Sequence, residues 1–269
     1  MTAALVRFEL AAARGGRTVP LVAAGFGLAS LTVAFVGLAA GGALTVQGFA
    51  RTSVSLLQLV LWIVPLLALL MGAVSGAEAR DVEFIHALPI PRARVIVARW
   101  AALFVALGAA LLVGLGAAGI VIGSLAGSAD AFRYVALVGV SGLLLAACLA
   151  VGLALGVAAR TRARAMTFAV VAWFVLVVGV DLAAIAVLAI LPAGPASWGL
   201  STLLLVDPVD VARVLGLGLF QADAIAGPTG AALKDLLAGW GAWLLVVGLV
   251  AWTVGPLTWA GRRLSRGDL

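Results

Sequence analysis

Several long stretches of this chain carry no ionisable side chain, among them Thr18 to Ala50, Thr52 to Ala77 and Trp100 to Ala129. Runs of that length and character leave the backbone few ways to fold. An amide without a partner is costly in hydrocarbon, so each N–H and C=O must be satisfied inside its own segment, as a helix does. A membrane barrel needs short alternating strands, and none are present in the sequence. With 65% apolar residues, 10% charged residues and a mean hydropathy of +1.25, the 269 residues hold too little polar surface to coat a water-soluble globule.

The predicted fold class is therefore an all-α integral membrane protein with a single transmembrane domain over residues 1–269. Six intervals meet the roughly 20 apolar residues that a bilayer crossing needs. They lie near 20–40, 54–77, 98–124, 135–158, 167–191 and 237–260. Ahead of them, LVRFELAAARGGR alternates apolar and charged faces at helical spacing and breaks at Gly15-Gly16 before Pro20. This predicts an interfacial amphipathic helix over 3–15. No small-residue cleavage site follows, so the first apolar run is expected to be a retained span.

The cations divide unevenly between the two sides that six spans create. Thirteen arginines fall on one side, in groups around Arg7, Arg14 and Arg17, then Arg80, Arg92, Arg94 and Arg99, then Arg160, Arg162 and Arg164, then Arg262, Arg263 and Arg266. Arg51, Arg133, Arg213 and Lys234 fall on the other. The positive-inside rule puts the first side, with both termini, in the cytoplasm of a cell (inner) membrane protein. A net charge of +6 then needs no nucleic-acid partner, because arginines at helix ends meet anionic lipid.

The connection between spans two and three, residues 78–95, breaks the hydrocarbon pattern with VEFIHALPIPRARV. Pro89 and Pro91 push the residues before them out of helical geometry, and Pro91 suits the first turn of the next helix. Residues 78–88 continue the second helix beyond the apolar run and carry Glu78 and Glu83. The result is a stiff, charged elbow on the cytoplasmic side. His86 within it is expected to be an ordinary surface residue.

Here the residues resemble a family. ABC-2 type permeases carry in this loop a pattern of Glu, Gly-Thr, Glu, an apolar run, then Pro and Arg, with a Gly-Lys pair shortly afterwards. Glu78, Glu83, Pro89, Arg92 and Arg99 fall at matching positions; Arg80-Asp81 replaces the usual Gly-Thr and Ala98-Arg99 the usual Gly-Lys. A second segment, DPVDVAR at 207–213, resembles the NPxDxxR stretch of NosY-type permeases, the membrane subunits of the nitrous oxide reductase maturation transporter. Asp207 is a suitable cap for a helix begun at Pro208, and Asp210 places an acid in its first turn. The fifth-span acid of that subfamily matches Asp181, and the ending RRLSRGDL resembles its basic tail.

The resemblance implies a permease subunit whose elbow residues couple to a separate cytoplasmic ATPase. It also implies a second permease copy, since six spans make half of an ABC pathway. ATP and Mg would be bound by the partner ATPase, and this chain would need no cofactor of its own. The outer segment 192–236, with Asp207, Pro208, Asp210 and Arg213, is the expected contact for an extracytoplasmic NosD-like partner.

Asp181 allows two readings. An acid inside a span costs about 2.5–3.5 kcal/mol at a helix centre and needs a partner. It is either part of a substrate path or conformational latch, or a satisfied packing group. No basic residue in another span presents itself, so either protonation or a hydroxyl at similar depth, such as Thr32 or Ser141, is expected to satisfy it. Cys148 is expected to be a small packing residue, and the tryptophans, Trp100, Trp198 and Trp259 among them, interfacial anchors.

No phosphate-binding Gly-x-x-x-x-Gly-Lys-Ser/Thr motif occurs, and the only lysine is Lys234. The chain is thus not expected to be an enzyme. One Cys, one His and three Met are a thin ligand set for copper, so no metal site is predicted. Another ABC-2 exporter, moving lipid, polysaccharide or drug, is the nearest alternative function. A membrane-embedded enzyme using Asp181 with Asp207 or Asp210 is a distant third.

Overall fold

A computed structural model describes residues 18–40, 46–81, 91–123, 128–159, 161–190, 207–219 and 240–266. All elements among them are helical: α1 (Thr18–Ala40), α2 (Val46–Asp81), α3 (Arg92–Gly123), α4 (Ser128–Ala158), α5 (Arg162–Phe174), a π-helical turn (Val175–Gly179), α6 (Val180–Ile190), α7 (Pro208–Leu219) and α8 (Gly241–Arg266). The π-turn joins α5 and α6 into one rod. Five stretches are long and apolar enough to cross a bilayer: Thr52–Ala79, Arg92–Ile120, Phe132–Ala158, Arg162–Ala186 and Gly241–Ser265. Helix α1 adds the shorter apolar run Ala24–Val36. The protein is therefore a multi-pass membrane protein. The interfacial helix expected over 3–15, elbow residues 82–90 with His86, and most of segment 192–236 lie outside the described residues.

Helix α2 runs through Pro65 and α8 through Pro256. Each proline leaves a carbonyl one turn earlier without its helical donor, a defect that packed membrane helices tolerate.

Small residues decide how the rods pack. Gly72 and Gly76 on α2 face Gly152 and Gly156 on α4, four residues apart on each helix. A Cβ at Gly72 would stand 2.7 Å from the Leu149 carbonyl oxygen, and one at Gly152 would stand 2.6 Å from that of Leu69. The two backbones touch. Because lipid tails are as apolar as leucine, such close van der Waals fit, rather than water exclusion, holds membrane helices together. The order of contacts makes α2 and α4 parallel.

Antiparallel neighbours are tied by polar side chains to backbone. Tyr134 Oη donates to the Leu115 carbonyl at 2.6 Å, joining α4 to α3. Trp100 Nε1 on α3 donates to Ala146 O at 3.1 Å and stacks on Phe104, so this indole ties two spans together. Trp173 Nε1 on α5 donates to Trp62 O on α2 at 3.1 Å. Trp259, by contrast, is exposed beneath the Arg263 guanidinium, 5.1 Å from its ring centre, which suits an interfacial anchor. Cys148 is fully buried in the central core, a small packing residue.

Burial separates inner from outer rods. In the α4 span 56% of the apolar window is buried by this chain, against 11% in Arg162–Ala186 and in Gly241–Ser265. Those two spans keep faces for lipid or another chain.

Candidate functional site

At the arginine-rich end, the ends of four helices are joined. Glu78, at the close of α2, forms an ion pair of 3.3 Å with Arg162 at the start of α5. Arg92, opening α3, donates through Nη1 to the Leu264 carbonyl of α8 at 2.9 Å. Arg99 is buried and donates to the Ser75 carbonyl of α2 at 2.8 Å. Thr161 caps α5 by accepting from the Arg164 amide at 3.3 Å. Pro91 stands just before α3, its carbonyl accepting from Arg94 N at 2.8 Å. Of the elbow residues singled out in the sequence, Glu78, Arg92 and Arg99 thus serve first as ties within the chain. Glu83 and Pro89 lie outside the described residues.

The second constellation lies within the bundle. Since α5 begins and α8 ends at the arginine-rich end, α6 ends and α8 begins at the opposite one. Helix α7, between them in sequence, therefore enters from that opposite end. It does not lie on the outside. Val211, Val214 and Leu215 share a core with Ala147 of α4 and Leu245 and Leu249 of α8, with Val140 and Leu143 packed alongside. These α4 residues occupy the middle of its span. Gly216 is pressed against Leu57, where an added Cβ would come within 2.7 Å of the leucine methyls.

Asp207 starts this helix as the sequence predicts, its carboxylate accepting from Val209 N at 3.2 Å and Asp210 N at 3.3 Å. Its own carbonyl accepts the first helical bond, from Val211 N. Asp207 is 1% exposed and Asp210 3%, and Pro208 is buried. Three of the four residues expected to meet an outer partner are thus covered by the chain's own helices.

The fourth, Arg213, supplies what Asp181 needs. Its Nη1 donates to Asp181 Oδ1 at 2.6 Å and its Nη2 to Oδ2 at 3.2 Å, a bidentate fork across 32 positions of sequence. The same Nη1 lies 2.7 Å from Asp210 Oδ1, one helical turn away on α7, as a charge contact rather than an aligned hydrogen bond. One guanidinium thereby serves two carboxylates, with Asp207 close behind them. The hydroxyls proposed as partners are engaged elsewhere: Thr32 Oγ1 donates to Leu28 O and Ser141 Oγ to Leu137 O, each in its own helix. Sequence reading counted Arg213 among loop cations; the Asp-x-x-Arg spacing at 210–213 was the available signal that it shares a face with an acid.

Among the described residues, no group of three or more His, Cys, Asp or Glu is placed to hold a metal ion. The cluster suits holding α7 in one position, with an ion pair partly open to its surroundings.

Parallel spans in close glycine contact, with helix ends tied together where the arginines gather, make this chain a packed multi-pass membrane bundle. The family profile described as "ABC-2 family transporter protein" matches residues 51–269, and the chain belongs to that family. Within it, the chain is similar to the probable ABC transporter permease protein NosY of Pseudomonas aeruginosa. The two are 28% identical over 230 residues, which cover 83% of this chain and 84% of the relative.

Proposed function

We propose that this ABC-2 permease subunit works as a NosY-like force transmitter: a cytoplasmic ATPase pushes on the elbow, and a pair of permease copies carries the motion across the inner membrane. The arginine-rich end is then cytoplasmic, with both termini on that side, as its excess of cations favours. The observation that carries this reading is the set of ties at that end. Load applied near Glu78 reaches α5 through Arg162, and load on Arg92 reaches α8 through the Leu264 carbonyl. The receiving helices include the two spans least covered by this chain, which favours their packing against a second copy.

At the other end, the fork between Asp181 and Arg213 acts as a latch holding α7 to the fifth span. Its opening would release the helix nearest an extracytoplasmic NosD-like partner. Similarity to NosY and the DPVDVAR segment support a role in maturing the copper sites of nitrous oxide reductase. The chain would contribute motion, with ATP and Mg held by the ATPase.

The test is reconstitution with a cytoplasmic ABC-type ATPase subunit from the same cell. Co-purification and permease-stimulated ATP hydrolysis are expected, and substitution of Glu83 or Arg92 should uncouple hydrolysis while membrane insertion persists. Normal cycling of both variants would overturn the elbow assignment.

A further inference from the structure

The π-turn Val175–Gly179 sits between two fixed points of the fifth span. On the arginine-rich side, Trp173 is pinned to α2 through its hydrogen bond to Trp62 O and an edge-on ring contact of 5.9 Å. Beyond the turn, Asp181 is pinned to Arg213. Within it, the Val180 amide donates to Val175 O, five residues back, so the turn holds one residue more than an α-helical turn.

That surplus residue determines where Asp181 points. Ala165 and Ala169 are fully buried and define the inward stripe of α5. Asp181 follows Ala169 by twelve positions (181 minus 169). At about 100° per residue an uninterrupted α-helix would place it about 120° away from the stripe. One surplus residue absorbed in the wide turn takes back about 100°, returning Asp181 to within about 20° of Ala169. Val177, inside the turn, is likewise buried.

We infer that the π-turn is the element that aims Asp181 at Arg213, and that its relaxation to a regular α-helix, swinging Asp181 about 100° off the guanidinium, is the movement that opens the latch. The inference rests on the latch reading above. It is a two-state device: one form has the fork closed and a wide turn, the other has the fork open and a regular rod. Migration of a single residue of register separates them.

Two changes of length test it in opposite directions. In full-length protein in detergent, Asp181→Asn and Arg213→Gln are combined in a double-mutant cycle read as shifts in Tm. The cycle is repeated with Val178 deleted and with one alanine inserted after Val178. In the native register the two substitutions are expected to be non-additive. Deleting Val178 removes the surplus residue without turning Asp181, so the non-additivity should persist; insertion turns Asp181 away, and the substitutions should become additive.

Loss of coupling on deletion, or its survival on insertion, overturns the aiming role while leaving the latch intact. Additivity in the native register removes the latch and this inference with it. If the insertion variant does not fold, the deletion decides alone. In the ATPase complex, the deletion variant should keep its fork yet lose at least tenfold of ATP-driven turnover, and normal turnover would overturn the opening movement.

Discussion

Asp181 on the fifth span and Arg213 on the inserted helix meet in a two-pronged fork of 2.6 and 3.2 Å. The acid has 47% of its side chain exposed and the base 23%. The partners are unequal in what they leave behind, because Arg213 also neutralises Asp210, whose side chain is 4% exposed.

Removing the base should therefore cost more than removing the acid. Arg213→Gln strands a buried carboxylate and is expected to lose about 3–5 kcal/mol, the usual cost of breaking a buried pair from one side. Asp181→Asn leaves Arg213 with Asp210 and should cost about 1 kcal/mol, in the range of partly exposed pairs. Denaturation in detergent micelles measures both, and equal losses would contradict the shared guanidinium.

The cap on α7 separates shape from charge. The two amides are held by different carboxylate oxygens, so Asp207→Asn keeps an acceptor for only one of them and should cost less than Asp207→Ala, which loses both and should cost about 0.5–2 kcal/mol. The same unfolding measurement compares them. A neutral alanine variant would mean the cap contributes nothing.

Glycine positions on α4 and α8 divide sharply. Gly152→Leu drives a side chain into the Leu69 backbone and should separate the helices, at a cost of about 1–3 kcal/mol or more for overpacking. Gly139→Ala and Gly248→Ala, with nothing within 4 Å of the added carbon, should leave stability unchanged. Thermal aggregation in detergent, followed by size-exclusion chromatography, distinguishes the two groups.

The tie between Glu78 and Arg162 joins side chains that are 48% and 66% exposed. Glu78→Gln should shift stability by less than about 1 kcal/mol. Its expected effect is on stimulated ATP hydrolysis in the reconstituted complex, with the swap Glu78→Arg, Arg162→Glu restoring part of the loss. Full stimulation in the single variant would show that load does not pass through this pair.

The bilayer reading, the rods and the uneven arginines were all legible in the sequence, as was Asp207 as a helix cap. These follow from local rules: hydrocarbon demands that each segment satisfy its own backbone, and a cap depends on residues two and three positions away. The partner of Asp181 was not legible, because it depends on the path of segment 192–236 and on the facing of the fifth span. That the Trp100 indole would find Ala146 O was equally hidden, since the bond spans two helices. Likewise, Glu78, Arg92 and Arg99 read as a docking pattern, and only the meeting of helix ends gave them partners inside the chain. Local chemistry dictates that these segments are helices; how each helix is turned about its axis, to within the single residue held in the Val175–Gly179 turn, is decided by contacts between segments far apart in the chain.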